Sequence, residues 1–273
     1  TQPLTNENSE LIDSTFTGTI PTFSKQIMFK ELDLSSILVE PSQIKKFVRI
    51  KKNLFFIANN KLYGAGDNTY GQLGQGHNDP IDYQENSLGI VLVKDNVKDL
   101  LCTTGDTVFI RDMENKIWSV GRNEYGQLGL GHYEKNVFEF QEVNLEEPDE
   151  ISTIISNGRS TFAIRLFDTV MAIGKNDEGQ LGIGSTLLAS EWTRCKNLEK
   201  IDQIILSESN GFAFAISETG VLYHTGNFKS YNELGLSDSN NRNVEFNKTG
   251  LTDIEYATSY KDTMYAINSK GEL

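Results

Sequence analysis

Three stretches of this 273-residue chain nearly coincide: Gly66-Asp-Asn-Thr-Tyr-Gly71-Gln-Leu-Gly74-Gln-Gly76, Gly121-Arg-Asn-Glu-Tyr-Gly126-Gln-Leu-Gly129-Leu-Gly131 and Gly174-Lys-Asn-Asp-Glu-Gly179-Gln-Leu-Gly182-Ile-Gly184. A fourth, Gly226-Asn-Phe-Lys-Ser-Tyr-Asn-Glu-Leu-Gly235, is one residue longer and has Asn232 where glycine is expected. The leading glycines Gly66, Gly121, Gly174 and Gly226 are spaced 55, 53 and 52 residues apart. A period held that closely marks a repeat architecture, in which each copy is one supersecondary unit stacked on its neighbours.

Upstream of each leading glycine stands a pair of apolar, β-branched and aromatic runs around a short polar break. Leu54–Ala58 precedes Lys61–Gly66, Val108–Ile110 precedes Ile117–Gly121, Phe162–Ile164 precedes Val170–Gly174, and Phe212–Ile216 precedes Val221–Gly226. Such pairs read as β-hairpins. Asn59-Asn60 and Thr219-Gly220 supply residues that tolerate positive φ in the turns. Helical periodicity is not sustained for three turns anywhere, so each unit is read as short antiparallel strands. An all-β unit of about 50 residues suggests a four-stranded propeller blade. Leu73, Leu128, Leu181 and Leu234 are expected as apolar plugs between units. The glycines Gly66, Gly71, Gly74, Gly121, Gly126, Gly129, Gly174, Gly179, Gly182, Gly226 and Gly235 are expected to serve the repeat structurally, in tight turns and close backbone approaches.

The repeats divide as about 45–98, 99–151, 152–202 and 203–253. Ala266–Leu273 aligns with Ala215–Leu222 at an offset of 51, and Gly18, after Ile12-Asp-Ser-Thr-Phe-Thr, stands 48 residues before Gly66. Residues 254–273 and 11–44 therefore read as halves of one split repeat, with a strand around Ile27–Leu32. The expectation is a single propeller domain over 1–273. Five blades are favoured, closed by pairing of the N- and C-terminal strands, which removes open sheet edges. The competing reading is a larger ring of which this chain is part.

These residues resemble the repeats of the regulator of chromosome condensation family, whose unit ends an apolar strand in glycine and continues with Asn-x-x-Gly-Gln-Leu-Gly. Asn68, Asn123 and Asn176 hold the asparagine; Gly71–Gly74, Gly126–Gly129 and Gly179–Gly182 hold the core. The resemblance covers about residues 45–273 and implies a propeller, although family members usually have seven blades. It implies partners that are proteins. Guanine-nucleotide exchange on a small GTPase is among the family's roles, as are ubiquitin-ligase adaptor modules and inhibitors. A wedge inserted between repeats and a basic tail, which an exchange factor of this family would carry, are not evident. The connections 77–95, 132–150, 185–200 and 236–253 read as short and alike.

Composition narrows the function. Lys plus Arg is 25 and Asp plus Glu is 38, a net charge of −13. That disfavours nucleic acid or an anionic membrane as the main partner, since both need a positive surface. No purely apolar run exceeds the five residues of Leu54–Ala58, far short of a membrane span. Cys102 and Cys195 lack metal or redox spacing and suit a reducing compartment, so a cytoplasmic location is expected, with the nucleus as the alternative. No Walker, HExxH, GxSxG or dinucleotide motif appears. No cofactor, metal or catalytic residue is assigned. His77 and His132, equivalent in the repeat, are expected to cap loops, and His224 to lie in a strand, packed or exposed at the rim. Asp95 and Asp99 are read as ordinary loop surface.

Glu139–Glu150 carries six acidic residues and no basic one. It reads as a solvated connection, or alternatively as a contact for a basic partner through Glu146, Glu147, Asp149 and Glu150. The expected function is a non-enzymatic protein–protein interaction module, alone or as one domain of a larger multidomain protein. The alternative is a guanine-nucleotide exchange factor or other regulator of a small GTPase, and a propeller hydrolase ranks last.

Overall fold

The structure is a computed structural model. It describes residue 34 and residues 37–79, 83–84, 87–166, 169–207, 211–227, 243–260 and 263–272. The described residues all belong to one compact unit, Asp33–Leu273. The expected strand around Ile27–Leu32, the leading half of the split repeat, its pairing with the C-terminal strands, Leu234 and Gly235 lie outside the described residues.

The first four-stranded sheet is built from β1 (Ile44–Ile50), β2 (Asn53–Ala58), β3 (Lys61–Ala65) and, after a two-residue-by-two-residue hairpin β4 (Tyr83–Gln84) and β5 (Ser87–Leu88), β6 (Val91–Lys94). The second holds β7 (Val97–Thr103), β8 (Thr107–Asp112), β9 (Ile117–Arg122) and β10 (Asn136–Glu142). The third holds β11 (Ile151–Ser156), β12 (Ser160–Arg165), β13 (Val170–Gly174) and β14 (Ala189–Arg194). The fourth holds β15 (Ile201–Leu206), β16 (Phe212–Ser217), β17 (Leu222–Gly226) and β18 (Asn243–Lys248). The fifth, among the described residues, is the pair β19 (Ile254–Tyr260) and β20 (Thr263–Asn268). Every pairing is antiparallel and joins neighbours in the chain order of each sheet. At the first hairpin, Asn59 and Asn60 both take positive φ (52° and 57°), the two-residue turn that matches strand twist.

Four apolar layers separate the five sheets. Phe55, Ile57, Val97, Val108 and Ile110 join the first to the second, and Phe109, Ile117, Ile151, Ile154 and Ala163 the second to the third. Phe162, Ala172, Ile204 and Ala215 lie between the third and fourth, and Phe214, Ile216, Ile254 and Ala257 between the fourth and fifth. The second strand of a sheet is covered on both faces, so β2, β8 and β16 are buried at every position and read as continuous apolar runs. Leu73, Leu128 and Leu181 are fully buried in the first three layers.

The fourth strand of each sheet lies inside what reads from sequence as a connection. β10 and β14 are mostly half-buried or exposed, so no apolar run announces them. This corrects the reading of Glu139–Glu150 as one loop: its start is strand β10 and its end a single 3-10 turn, Pro148–Glu150. Asp99 is likewise in strand β7 rather than a loop, because only two residues separate β6 from β7, and it accepts a hydrogen bond from Lys46 Nζ at 2.9 Å.

Candidate functional site

The repeated Asn-x-x-Gly-Gln-Leu-Gly loops are clips between sheets. Asn68 Oδ1 accepts from Leu73 N–H at 2.9 Å, and its Nδ2 donates to the carbonyls of His77 and Asp79 at 2.9 and 3.2 Å. Asn123 does the same with Leu128 N–H and the His132 carbonyl, at 3.1 and 2.9 Å. Asn176 repeats it with Leu181 N–H and the carbonyls of Ser185 and Leu187, at 2.9, 2.8 and 2.9 Å. One buried amide thus holds both ends of each loop, which is why asparagine recurs there.

The glutamine reaches across. Gln72 Nε2 donates to the Gly105 carbonyl at 2.9 Å and Gln127 Nε2 to the Gly158 carbonyl at 2.8 Å. Both acceptors sit in the turn between the first and second strands of the next sheet. The last glycine of each core lies under an aromatic ring from the next sheet's fourth strand: Gly74 under Phe140, Gly129 under Trp192, Gly182 under Phe246. A side chain at those glycines would occupy the ring's place. The leading glycines Gly66, Gly121, Gly174 and Gly226 have φ of 87° to 114°, and a Cβ there would collide with a backbone carbonyl of Lys52, Asp106, Arg159 or Gly211. Gly71, Gly126 and Gly179 also take positive φ, 72° to 80°, in the loop turns. His77 Nδ1 accepts from Asp79 N–H at 3.2 Å and His132 Nδ1 from Glu134 N–H at 3.3 Å.

No protein-family model matches the chain. Among curated proteins it is similar to the regulator of chromosome condensation of Xenopus laevis, 31% identical over 156 residues that cover 55% of this chain and 35% of the relative. It is also similar to the secretion-regulating guanine nucleotide exchange factor of Bos taurus, 30% identical over 44% of this chain and 26% of the relative. The human probable E3 ubiquitin-protein ligase HERC6 is 24% identical over 70% of this chain and 18% of its own length. Among solved structures, yeast RCC1 (Prp20) bound to Kap60 superposes with a TM-score of 0.66 at 17% identity, covering 81% of this chain and 52% of that one.

The chain is a β-propeller of the regulator of chromosome condensation-like type.

This propeller spans 18%, 26% and 35% of the three curated relatives named above and about half of the yeast structure. The clips leave loop tips whose residues differ between repeats: His77-Asn-Asp, His132-Tyr-Glu and Ser185-Thr-Leu at equivalent places. Tyr133, Leu187 and Leu188 there are exposed apolar side chains.

The acidic residues picked from sequence separate into distinct environments. Arg165, at the end of β12, forms ion pairs with Glu147 and Glu150. Arg111, at 9% exposure, donates to the Pro148 carbonyl at 3.0 Å and the Ile151 carbonyl at 2.5 Å. Two arginines therefore hold the segment that sequence charge alone makes look unbalanced. Glu146 and Asp149 remain exposed. Their separation from Glu147 and Glu150 could not be read from the sequence, because Arg111 and Arg165 belong to other strands.

His224, in β17, is 1% exposed, and burial depresses its imidazole pKa to about 4. It is therefore neutral at pH 7. Among the described residues no group of His, Cys, Asp or Glu has the arrangement of a metal site. No described helix is long and apolar enough to cross a membrane.

Proposed function

We propose that this propeller is a protein-interaction module that acts by binding, through loop residues held in place between sheets. The observation that carries this reading is the clip: the same Asn hydrogen bond holds each of the three described loops, two of which Gln72 and Gln127 also tie to the next sheet, while the residues at the tip vary from repeat to repeat. A recognition loop ordered before binding loses little conformational entropy on contact. The relatives support a protein partner. One solved neighbour is described by its binding to Gsp1p and histones, and another by its complex with Kap60. The net charge of −13 argues for a protein surface over nucleic acid.

A second reading, regulation of nucleotide exchange on a small GTPase, is favoured by the names of relatives: a guanine nucleotide exchange factor and GTPase regulators. One experiment tests both. The chain, carrying a photo-crosslinker at Tyr133 or Leu187, is used to capture partners, and each purified partner is titrated by calorimetry. In parallel, release of labelled GDP is followed from a panel of small GTPases. Saturable binding without faster release supports the module alone. Acceleration at micromolar chain supports the second reading. Loss of specific capture at every labelled loop would remove the loop-based reading.

A further inference from the structure

The second-to-third sheet junction departs from its neighbours. Gly76 N–H donates to the Phe138 carbonyl at 2.9 Å, and Gly184 N–H to the Val244 carbonyl at 2.7 Å. Each acceptor lies two residues before the ring that covers the clip's last glycine, Phe140 or Phe246. At the second junction the ring is Trp192, so the matching acceptor is Ser190, and Gly131 does not form that bond. Space beside these glycines differs in the same way. Glu139 stands 3.2 Å from where a Cβ of Gly76 would be, and Lys196 crowds Gly184, but nothing lies within 4 Å of that position at Gly131.

A groove of about 320 Å³ occupies the gap, running between Gly131 and Ser190. Leu145, Met171 and Trp192 give it partly buried apolar walls, and the exposed carboxylates of Glu146 and Glu191 line it too. Trp192 Nε1 is buried without a hydrogen-bond partner. Arg165 reaches the groove, but Glu147 and Glu150 already pair with it. Glu146 and Glu191 have no ion-pair partner among the described residues, so the groove carries uncompensated negative charge beside an open main-chain donor.

We propose that this groove seats an extended basic segment of a partner protein, an assignment that rests on the protein-binding reading above. Main chain of the segment supplies the acceptor that Gly131 N–H lacks. A lysine or arginine lays its aliphatic stem on Trp192, Leu145 and Met171 and brings its cation to Glu146 and Glu191. The carboxylates set the sign of the ligand, and the unmade inter-sheet bond favours a backbone over an isolated cation.

Trp118→Phe leaves Trp192 as the one tryptophan of the chain. Titrating this full chain with a capped heptapeptide of alternating leucine and arginine is expected to shift Trp192 emission saturably. Calorimetry on the unmodified chain provides a second readout. Glu146→Gln/Glu191→Gln should weaken binding at least tenfold. The charge-matched control Glu114→Gln/Glu255→Gln, at exposed sites elsewhere, should change it less than twofold. Equal weakening by both pairs, equal binding of the glutamate-for-arginine peptide, equally tight binding of free arginine amide, or no binding would each overturn the assignment. If a partner from the capture experiment binds Glu146→Gln/Glu191→Gln undiminished, the groove is excluded while the interaction module stands. If the peptide binds the groove but no partner is ever captured, the module reading fails independently.

Discussion

Asn123 shows how much one residue can hold in a repeat. Its amide satisfies the buried Leu128 N–H and the His132 carbonyl, and removal leaves both without partners. Asn123→Ala is expected to lower stability by roughly 2–4 kcal/mol, since each stranded polar group costs about 1–3 kcal/mol. Urea unfolding would measure it, and a loss under about 0.5 kcal/mol, the size of an ordinary surface substitution, would show that water replaces the amide. His224 makes a different prediction. Its folded-state pKa near 4 lies below the ordinary 6.5, so the unfolded chain binds the extra proton between those values. Its contribution is whole above pH 6.5 and falls by about 1.4 kcal/mol per pH unit down to pH 4, where it levels off. Comparing stability against pH for the native chain and His224→Gln should show a shallower acid slope in the variant. The asparagine was legible as a recurring letter in the sequence. The environment of His224 was legible only as membership of a strand, because its burial depends on the sheets packed around β17.

At the scale of elements, the glycines that end the third strands and those at the loop tips obey different constraints. Gly121 has φ of 111° and its missing Cβ makes room for the Asp106 carbonyl. Gly131 has φ of 75° but open space around it. Gly121→Ala should therefore destabilise by about 4 kcal/mol or more, through collision as well as conformation. Gly131→Ala should cost only about 1–2 kcal/mol, the backbone term alone. Equal shifts of the urea midpoint would contradict the distinction. Sequence marks both as repeat glycines without ranking them. It reveals the second and third strands of the first four sheets as paired apolar runs, which follow from burial on two faces. It hides the fourth, because β10 and β14 bury few side chains and look like loops.

At the scale of the molecule, the described fifth sheet has two strands where the other four have four, and Tyr256, Tyr265 and Ile267 on it are exposed. The sequence spacing expects residues 11–44 and 254–273 to share one repeat. Deleting residues 1–33 should then lower the thermal midpoint and drive self-association, read by calorimetry and light scattering. An unchanged, monomeric product would remove the split repeat. Sequence by itself determined the repeat, its period, the all-β class, the recurring asparagines and the leucine plugs, because each copy must meet the same packing and hydrogen-bonding demands, and repetition prints those demands in register. Only the tertiary structure decided which acidic side chains are neutralised and which junction stays open. Those outcomes depend on Arg111, Arg165, Ser190 and Trp192 meeting residues far away in the chain, and no local pattern records such meetings.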